Sequence, residues 1–564
     1  MQRRYRLVAL AIGAAILAAC GGKSTDNAAP LAFIPADTPY VYANIEPTPT
    51  AVTEQWSRHM HDYLPSALAT YEQMLDRLGD ANKPDDAHAI AAARAIIELL
   101  KTHDTWDKLR ELGLKPDMRA AFYGVGLAPV LRMELGDAAK FRAAIADIES
   151  KSGANLQVAK VGNQDYWHLG NDKVTVLLAI EGQQFVATLA PANASDALKR
   201  TLLGLDRPAK SLADSGDLDK LARQYGYSNY GEGYFDFVRI AQRLTGPAQG
   251  SDREIAEALG LPTAGVDAVC RDEYLQVADK FPRLAFGIDA MTERHLGLSA
   301  QLELEATLAR QLMAALGTAP GTGAAGSGVL DVALSVPVLK LKDFWIAQAD
   351  AVAAKPFACP GLAEFNAGFA TMKQKIDITV PPPASDLTGL RLTLDHVEMA
   401  KAGSAVPAVS GKLLMGSTNP AAAIAMAQLA LPALKDIKLG TDGKPVALPA
   451  GTLPGTTEPT FAAATATALA LALGQGEDAT LGDWLNTPAA TDPVFFRMYF
   501  SGAFYNLLAQ GFDRMKAMMP TDQQARLEQQ SKMMAIYATW IKSADIELLA
   551  TPTGIVMHET VDQN

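Results

Sequence analysis

The chain has 564 residues, 49% of them apolar and 20% charged, a balance that excludes a disordered chain, a collagen or a coiled coil. At about 100–200 residues per domain, that length calls for two large domains or three or four ordinary ones. There are 62 acids against 50 bases, a formal charge of −12, and no basic stripe, which argues against a nucleic-acid partner.

The amino terminus begins MQRRYR, with Arg3, Arg4 and Arg6, followed by thirteen apolar or small residues at 7–19. A basic start, a short apolar run and a small-residue end make a secretory signal peptide. Thirteen residues are too few to cross a bilayer, which needs about 20. The run closes on Leu17-Ala18-Ala19-Cys20. This resembles the lipobox of the bacterial lipoproteins. The resemblance implies cleavage before Cys20 and acylation of its sulfur and new amine. Gly21 rather than Asp follows Cys20, which in that family favours the outer membrane. The expected anchor is therefore lipid, with the body facing the periplasm and residues 20–30 acting as the lipidated Cys and a flexible tether. Cleavage would leave 47 bases and 62 acids, a net charge of −15, poorly suited to adhesion on anionic lipid.

Residues 34–39 read Ile-Pro-Ala-Asp-Thr-Pro. This opening resembles bacterial envelope proteins that begin with a Pro-Ala-Asp-Thr element, a domain of unknown function. The resemblance implies no activity. Physically, Pro35 and Pro39 stiffen the approach to the first strand, and Asp37 can cap the turn.

An internal duplication is expected from the order of the elements. The strand Tyr40-Val41-Tyr42-Ala43, a Pro and a helical pattern with Trp56 match Leu330-Asp331-Val332-Ala333, a Pro and a pattern with Trp345. Three further strand–helix matches follow in the same order, ending with Tyr234-Phe235 against Phe495-Phe496. Alternating segments such as LRLTL at 390–394 favour antiparallel sheets with one face on a core. The expected fold is α+β: two similar domains from internal duplication, each a curved antiparallel sheet with helices packed on one face. The boundaries are 1–19 signal peptide, 20–30 tether, 31–316 first repeat, 317–328 Gly-rich linker and 329–564 second repeat. The linker, GTAPGTGAAGSG, has no Lys and no strand leading into it, so it is not a phosphate loop.

With Cys20 consumed by lipid, Cys270 and Cys359 remain, an even pair that reads as one disulfide in an oxidising compartment. It would tie the two copies together. The search for chemistry finds no Gly-x-Ser-x-Gly, no Ser-x-x-Lys and no CxxC. His59 and His61 are two apart on a helical pattern and point away from each other, so they do not share a metal. No cofactor is implied. The methionines Met515, Met518, Met519, Met533 and Met534 fit core packing better than a soft-metal site or a partner groove. The aromatic run at 225–237 supplies candidate ligand-lining residues: Tyr225, Tyr227, Tyr230, Tyr234 and Phe235. The reading is a non-catalytic binding or scaffold component of the envelope, with an envelope protein as partner. Two alternatives stay open: a carrier for an apolar ligand in the cleft between the repeats, and a hydrolase with a nonstandard acid–His or Ser–His pair.

Overall fold

The structure, a computed structural model, describes residues 30–78, 84–153, 156–170, 173–398, 408–453 and 458–564. The expected signal peptide, the lipidation site Cys20 and the tether up to residue 29 lie outside the described residues. The chain is mixed helix and strand with a large antiparallel sheet. It divides into two compact units, Met1–Ser299 and Ala300–Asn564. Residues 317–328 thus lie inside the second unit.

Ten strands begin in the first unit, the last of them running past its end at Ser299: β1 Tyr40–Ala43, β2 Ala120–Val125, β3 Ala128–Glu134, β4 Gln157–Val161, β5 Gln164–Gly170, β6 Val174–Glu181, β7 Gln184–Pro191, β8 Glu232–Asp236, β9 Arg283–Met291 and β10 His295–Glu303. Their order is β4-β5-β6-β7-β3-β2-β1-β8-β9-β10. Two-residue turns close the β2–β3, β4–β5 and β6–β7 hairpins, each opening with a glycine at positive φ: Gly126 at 57°, Gly162 at 59° and Gly182 at 58°. Glycine reaches that region without steric cost, which suits the tight hairpin.

Helices cover both faces of this sheet, not one. Val41, Ala43, Tyr123, Val130 and Val186 point to the side packed by Leu198, Leu202, Leu218, Leu221 and Ile255, which stand on the helices Asp196–Leu203, Asp217–Tyr225 and Gly250–Leu259. Ala120, Met133 and Ile180 point the other way, onto Trp106, Leu109, Phe141 and Met60 from the helices Trp106–Glu111, Ala138–Ser152 and Thr50–Leu78. The physical reason lies in β2 and β3, whose residues are apolar at nearly every position. A strand buried on both faces reads as a run, not an alternation.

The second unit holds β11 Leu330–Ser335, β12 Leu387–Glu398, β13 Ala408–Ser417, β14 Val446–Ala447, β15 Thr460–Ala464, β16 Ala468–Leu473, β17 Val494–Ser501, β18 Ile541–Thr551 and β19 Gly554–Gln563. Their order is β14-β15-β16-β13-β12-β11-β17-β18-β19. The inner face carries Leu414, Ala463, Ala470 and Ala472, packed against Leu481 and Leu485 of the helix Asp478–Leu485. Residues 317–328 run across this unit as an ordered strap. Ala319 donates its N–H to the Val494 carbonyl at 2.8 Å. Arg497 donates to the Thr322 and Ala324 carbonyls. A Cβ on Gly321 would stand 2.6 Å from the Arg391 guanidinium, so only glycine allows that approach.

Candidate functional site

Cys270 and Cys359 are joined in a disulfide. The five candidate ligand-lining aromatics are not brought to one surface. Tyr227 and Tyr234 are buried in the first unit's core, and Tyr225 packs against it. Tyr225 and Tyr227 rings stand 5.8 Å apart. Phe235 projects from the opposite face of β8, exposed, with its ring 6.0 Å from Tyr40 and 5.8 Å from Phe286. Tyr230 is half-buried in the segment before β8. Alternation along the strand separates Tyr234 from Phe235.

Between them in sequence lies a residue that the aromatic pattern hid. Glu232 is fully buried on the inner face, two residues before Tyr234 and directly opposite Gly287 on β9. A Cβ on Gly287 would stand 2.5 Å from the Tyr227 ring, which fills the place of the missing side chain beside Glu232. One carboxyl oxygen accepts from the Gly231 N–H at 3.3 Å, and Oε1 has no partner. Burial, reinforced by the charges of Asp219 and Glu46 and opposed by the Gly231 bond, pushes its pKa up to about 8. Glu232 therefore holds its proton at neutral pH. Enclosed this way, the neutral carboxyl lies inside the core.

A cleft of about 1180 Å³ opens elsewhere in the first unit. Its walls come from Thr48 and one face of the helix Thr50–Leu78, from residues 105–110, from residues 114–117, and from the start of the helix Ala138–Ser152. Thr50, Glu54, Ser57, Arg58 and His61 recur at helical spacing, so one face lines it. Several wall charges are already paired: Arg110 with Asp107, Lys115 with Glu134 at 3.0 Å, and His61 Nδ1 with Asp104 at 2.8 Å. Arg58, Lys140, Glu54 and Asp117 have no ion pair among the described residues. Thr48 Oγ1 and Trp106 Nε1 are buried without a hydrogen-bond partner. Each such group costs about 1–3 kcal/mol. The His61–Asp104 pair is an acid–histidine pair, but its imidazole is 65% exposed, Lys108 shares the same carboxylate, and Ser57 makes no hydrogen bond to the ring.

In the second unit the alternation of LRLTL is turned over. Arg391 and Thr393 face inward and are buried, while Leu390 and Leu392 face outward at 37% and 40% exposure. Arg391 binds both oxygens of Asp331, at 3.0 and 2.8 Å, and its guanidinium lies 4.8 Å from the Trp484 ring centre. Lys412, also buried, donates to Asp395 at 2.7 Å and to Glu477. Burial pulls the Lys412 ammonium down, yet those two carboxylates outweigh it and hold the pKa above its ordinary value. The outer face is apolar and open. Leu334 pairs with Leu390, and Leu392 pairs with both Val332 and Leu413. Leu334 and Leu413 are 38% and 43% exposed. Four large aliphatic side chains on three adjacent strands form one exposed apolar patch.

Comparison with protein families, with curated proteins and with solved structures finds no match. Among the described residues, no group of three or more His, Cys, Asp or Glu is placed to hold a metal, and no helix is long and apolar enough to cross a membrane.

Proposed function

We propose that this chain is a lipid-anchored, periplasm-facing component of the outer membrane, of a non-catalytic binding or scaffold kind, and that the open leucine face of β11–β13 is where it docks an apolar partner. The signal-like amino terminus with Cys20 supports the anchor. The carrying observation for the binding role is the outward set Leu334, Leu390, Leu392 and Leu413. Each is 37–43% exposed, so docking can recover about 1 kcal/mol of further burial for each one. The test is purification from native membranes in mild detergent, followed by native mass spectrometry of wild type and Leu390→Asp/Leu392→Asp. A stoichiometric protein lost in the variant supports the scaffold. A lipid-sized mass lost in the variant favours a carrier. Bare protein in both sinks the docking reading. An unprocessed, unmodified amino terminus sinks the anchor.

We also infer that the two units arose by duplication. In support, β7-β3-β2-β1-β8-β9-β10 and β16-β13-β12-β11-β17-β18-β19 share one connectivity. Buried Val41 and Ala43 of β1 correspond to buried Asp331 and Ala333 of β11 at a constant offset.

A further inference from the structure

We propose that the turn closing the helix Pro420–Ala430 of the second unit inserts into the surface of a phospholipid bilayer. From Pro420 to Leu434 the chain carries no charge and one polar side chain, Gln428. The foot of this helix is fixed: Pro420 and Ala423 are buried, and the Asn419 side chain accepts the Ala422 N–H at 3.2 Å. Its far end is uncovered. Leu429, Ala430, Leu431, Pro432 and Ala433 are five consecutive exposed residues, all apolar. Leu429, at 85%, is the most exposed large apolar side chain among the described residues. Met426, three positions earlier on the same side of the helix, is 47% exposed. Leu434 then turns inward and is buried. Such a run is a fault in a surface that meets only water. The fold does not require it. β3 and β13 hold the same place in the two strand orders, and the helix after β3, Ala138–Ser152, carries Lys140, Arg142, Asp147, Glu149 and Lys151.

The chemistry of this tip selects lipid over a protein groove. A protein interface makes about one hydrogen bond per 100–200 Å², and the five tip side chains offer neither donor nor acceptor. A bilayer asks for none, provided that backbone groups bond among themselves. Within the turn, Leu431 donates its N–H to the Ala427 carbonyl at 2.9 Å, Leu434 to Leu431 at 2.9 Å, Lys435 to Pro432 at 3.2 Å and Ile437 to Leu434 at 3.0 Å. Pro432 has no N–H to satisfy. Gln428 turns back and donates to the Ile437 carbonyl at 2.9 Å. Directly behind the tip stand exposed Lys435 and Lys438, without ion pairs among the described residues, and one acid, Asp436. The chain is acidic as a whole, but cations outnumber acids here. Ammonium groups behind a short apolar wedge match lipid phosphates above the acyl region. Eleven helical residues do not cross a bilayer, which needs about 20, so the insertion is shallow.

The test places an environment-sensitive fluorophore on Leu429→Cys in the full chain. Val158→Cys, at a position 65% exposed in the first unit, is the control, and the chain without an added cysteine reports labelling at Cys20. With vesicles of phosphatidylethanolamine and phosphatidylglycerol at millimolar lipid, the Leu429 probe is expected to shift to the blue and brighten several-fold, while the Val158 probe stays unchanged. A quencher high on the acyl chain should act on it more than one at the chain end, since such elements sit only about 5–10 Å deep. Adding Met426→Asp/Leu431→Asp should remove most of the shift. Adding Lys435→Gln/Lys438→Gln should weaken it on these vesicles and not on phosphatidylcholine alone. All four side chains are exposed, and circular dichroism checks that each variant folds. An unshifted Leu429 probe overturns the proposal, as does an equal shift at Val158 or a shift that survives Met426→Asp/Leu431→Asp. A shift that appears without vesicles and grows with protein concentration assigns the tip to a second copy of the chain and also overturns it. Flotation of the chain with the vesicles reports the lipid anchor separately from the probe, so a failed anchor and a failed tip are told apart.

Discussion

Glu232→Gln is expected to stabilise the protein at pH 7 and to have almost no effect at pH 4.5. The folded carboxyl has its pKa raised to about 8 from an ordinary 4.5, so the neutral form belongs to the folded state. In the unfolded chain the group ionises above 4.5. Its stability contribution is therefore fully present below pH 4.5 and is lost as pH rises through about 8. At pH 7 the fold must take up a proton against a gap of about 2.5 pH units. At 1.36 kcal/mol each, this costs about 3 kcal/mol. Glutamine is neutral in both states and escapes that cost. Its carbonyl can keep the Gly231 N–H, while its amide nitrogen takes the place of Oε1, which has no partner. Any penalty from that nitrogen is the same at every pH. The diagnostic quantity is thus the slope. Calorimetric unfolding of wild type and variant between pH 4.5 and 8.5 should show a melting-temperature difference that grows by several degrees toward neutrality. A difference that stays flat with pH, or shrinks as pH rises, refutes the assignment of a protonated Glu232.

Three further outcomes follow from the packing. Gly287→Ala should destabilise by about 1–3 kcal/mol in a denaturant titration, because its Cβ would meet the Tyr227 ring in a core without slack; an unchanged midpoint would contradict that packing. Arg391→Met alone should cost about 3–5 kcal/mol by stranding buried Asp331, whereas Arg391→Met with Asp331→Leu should recover most of it, so equal losses in single and double variants would refute a coupled pair. Reduction of Cys270–Cys359 opens a loop spanning 89 positions and should lower thermal stability by at most roughly 4–5 kcal/mol in chain-entropy terms, read as a drop in melting temperature with reductant.

The strands of the second unit were legible from alternation, but the side that faces inward was not. LRLTL alternates whether its leucines or its Arg391 and Thr393 are buried. Period two fixes a strand, and the choice of face depends on partners far along the chain, here Asp331 and Trp484. Residues 317–328 have the composition of a linker, yet the same glycines serve a strap pressed against Arg391. Composition reports freedom of the backbone, not how that freedom is used. The disulfide was readable once the lipobox resemblance set Cys20 aside, which left one pairing. The helices on both faces of the first sheet were missed, although the unbroken apolar runs of β2 and β3 carried the signal. Glu232 was readable too: it shares strand parity with Tyr234, so an inward tyrosine implies an inward acid. The cleft was not, since residues 48–61, 105–117 and 136–140 meet only in three dimensions and carry no motif.

The two units fill matching positions of one strand order with different side chains. Where the first places Val41, Tyr123 and Val130 on its inner face, the matching ladder of the second places Asp331, Thr393 and Lys412. Ion pairs of this kind add little net stability over an apolar core, because desolvation offsets most of the attraction. Small alanines on β15 and β16 contribute little more. The second unit nevertheless keeps its large leucines on the outer face of β11, β12 and β13. A sequence shaped for stability alone would gain by turning those strands over. Retaining the leucines outside while holding the inside together with Arg391, Lys412 and their carboxylates makes sense when the outer face has a partner to meet. The ionic interior also specifies the register of β11 and β12, since a shift of one residue would bury the leucines and expose Arg391 and Asp331. The inner pairs thus hold the outer leucines in one arrangement on the surface.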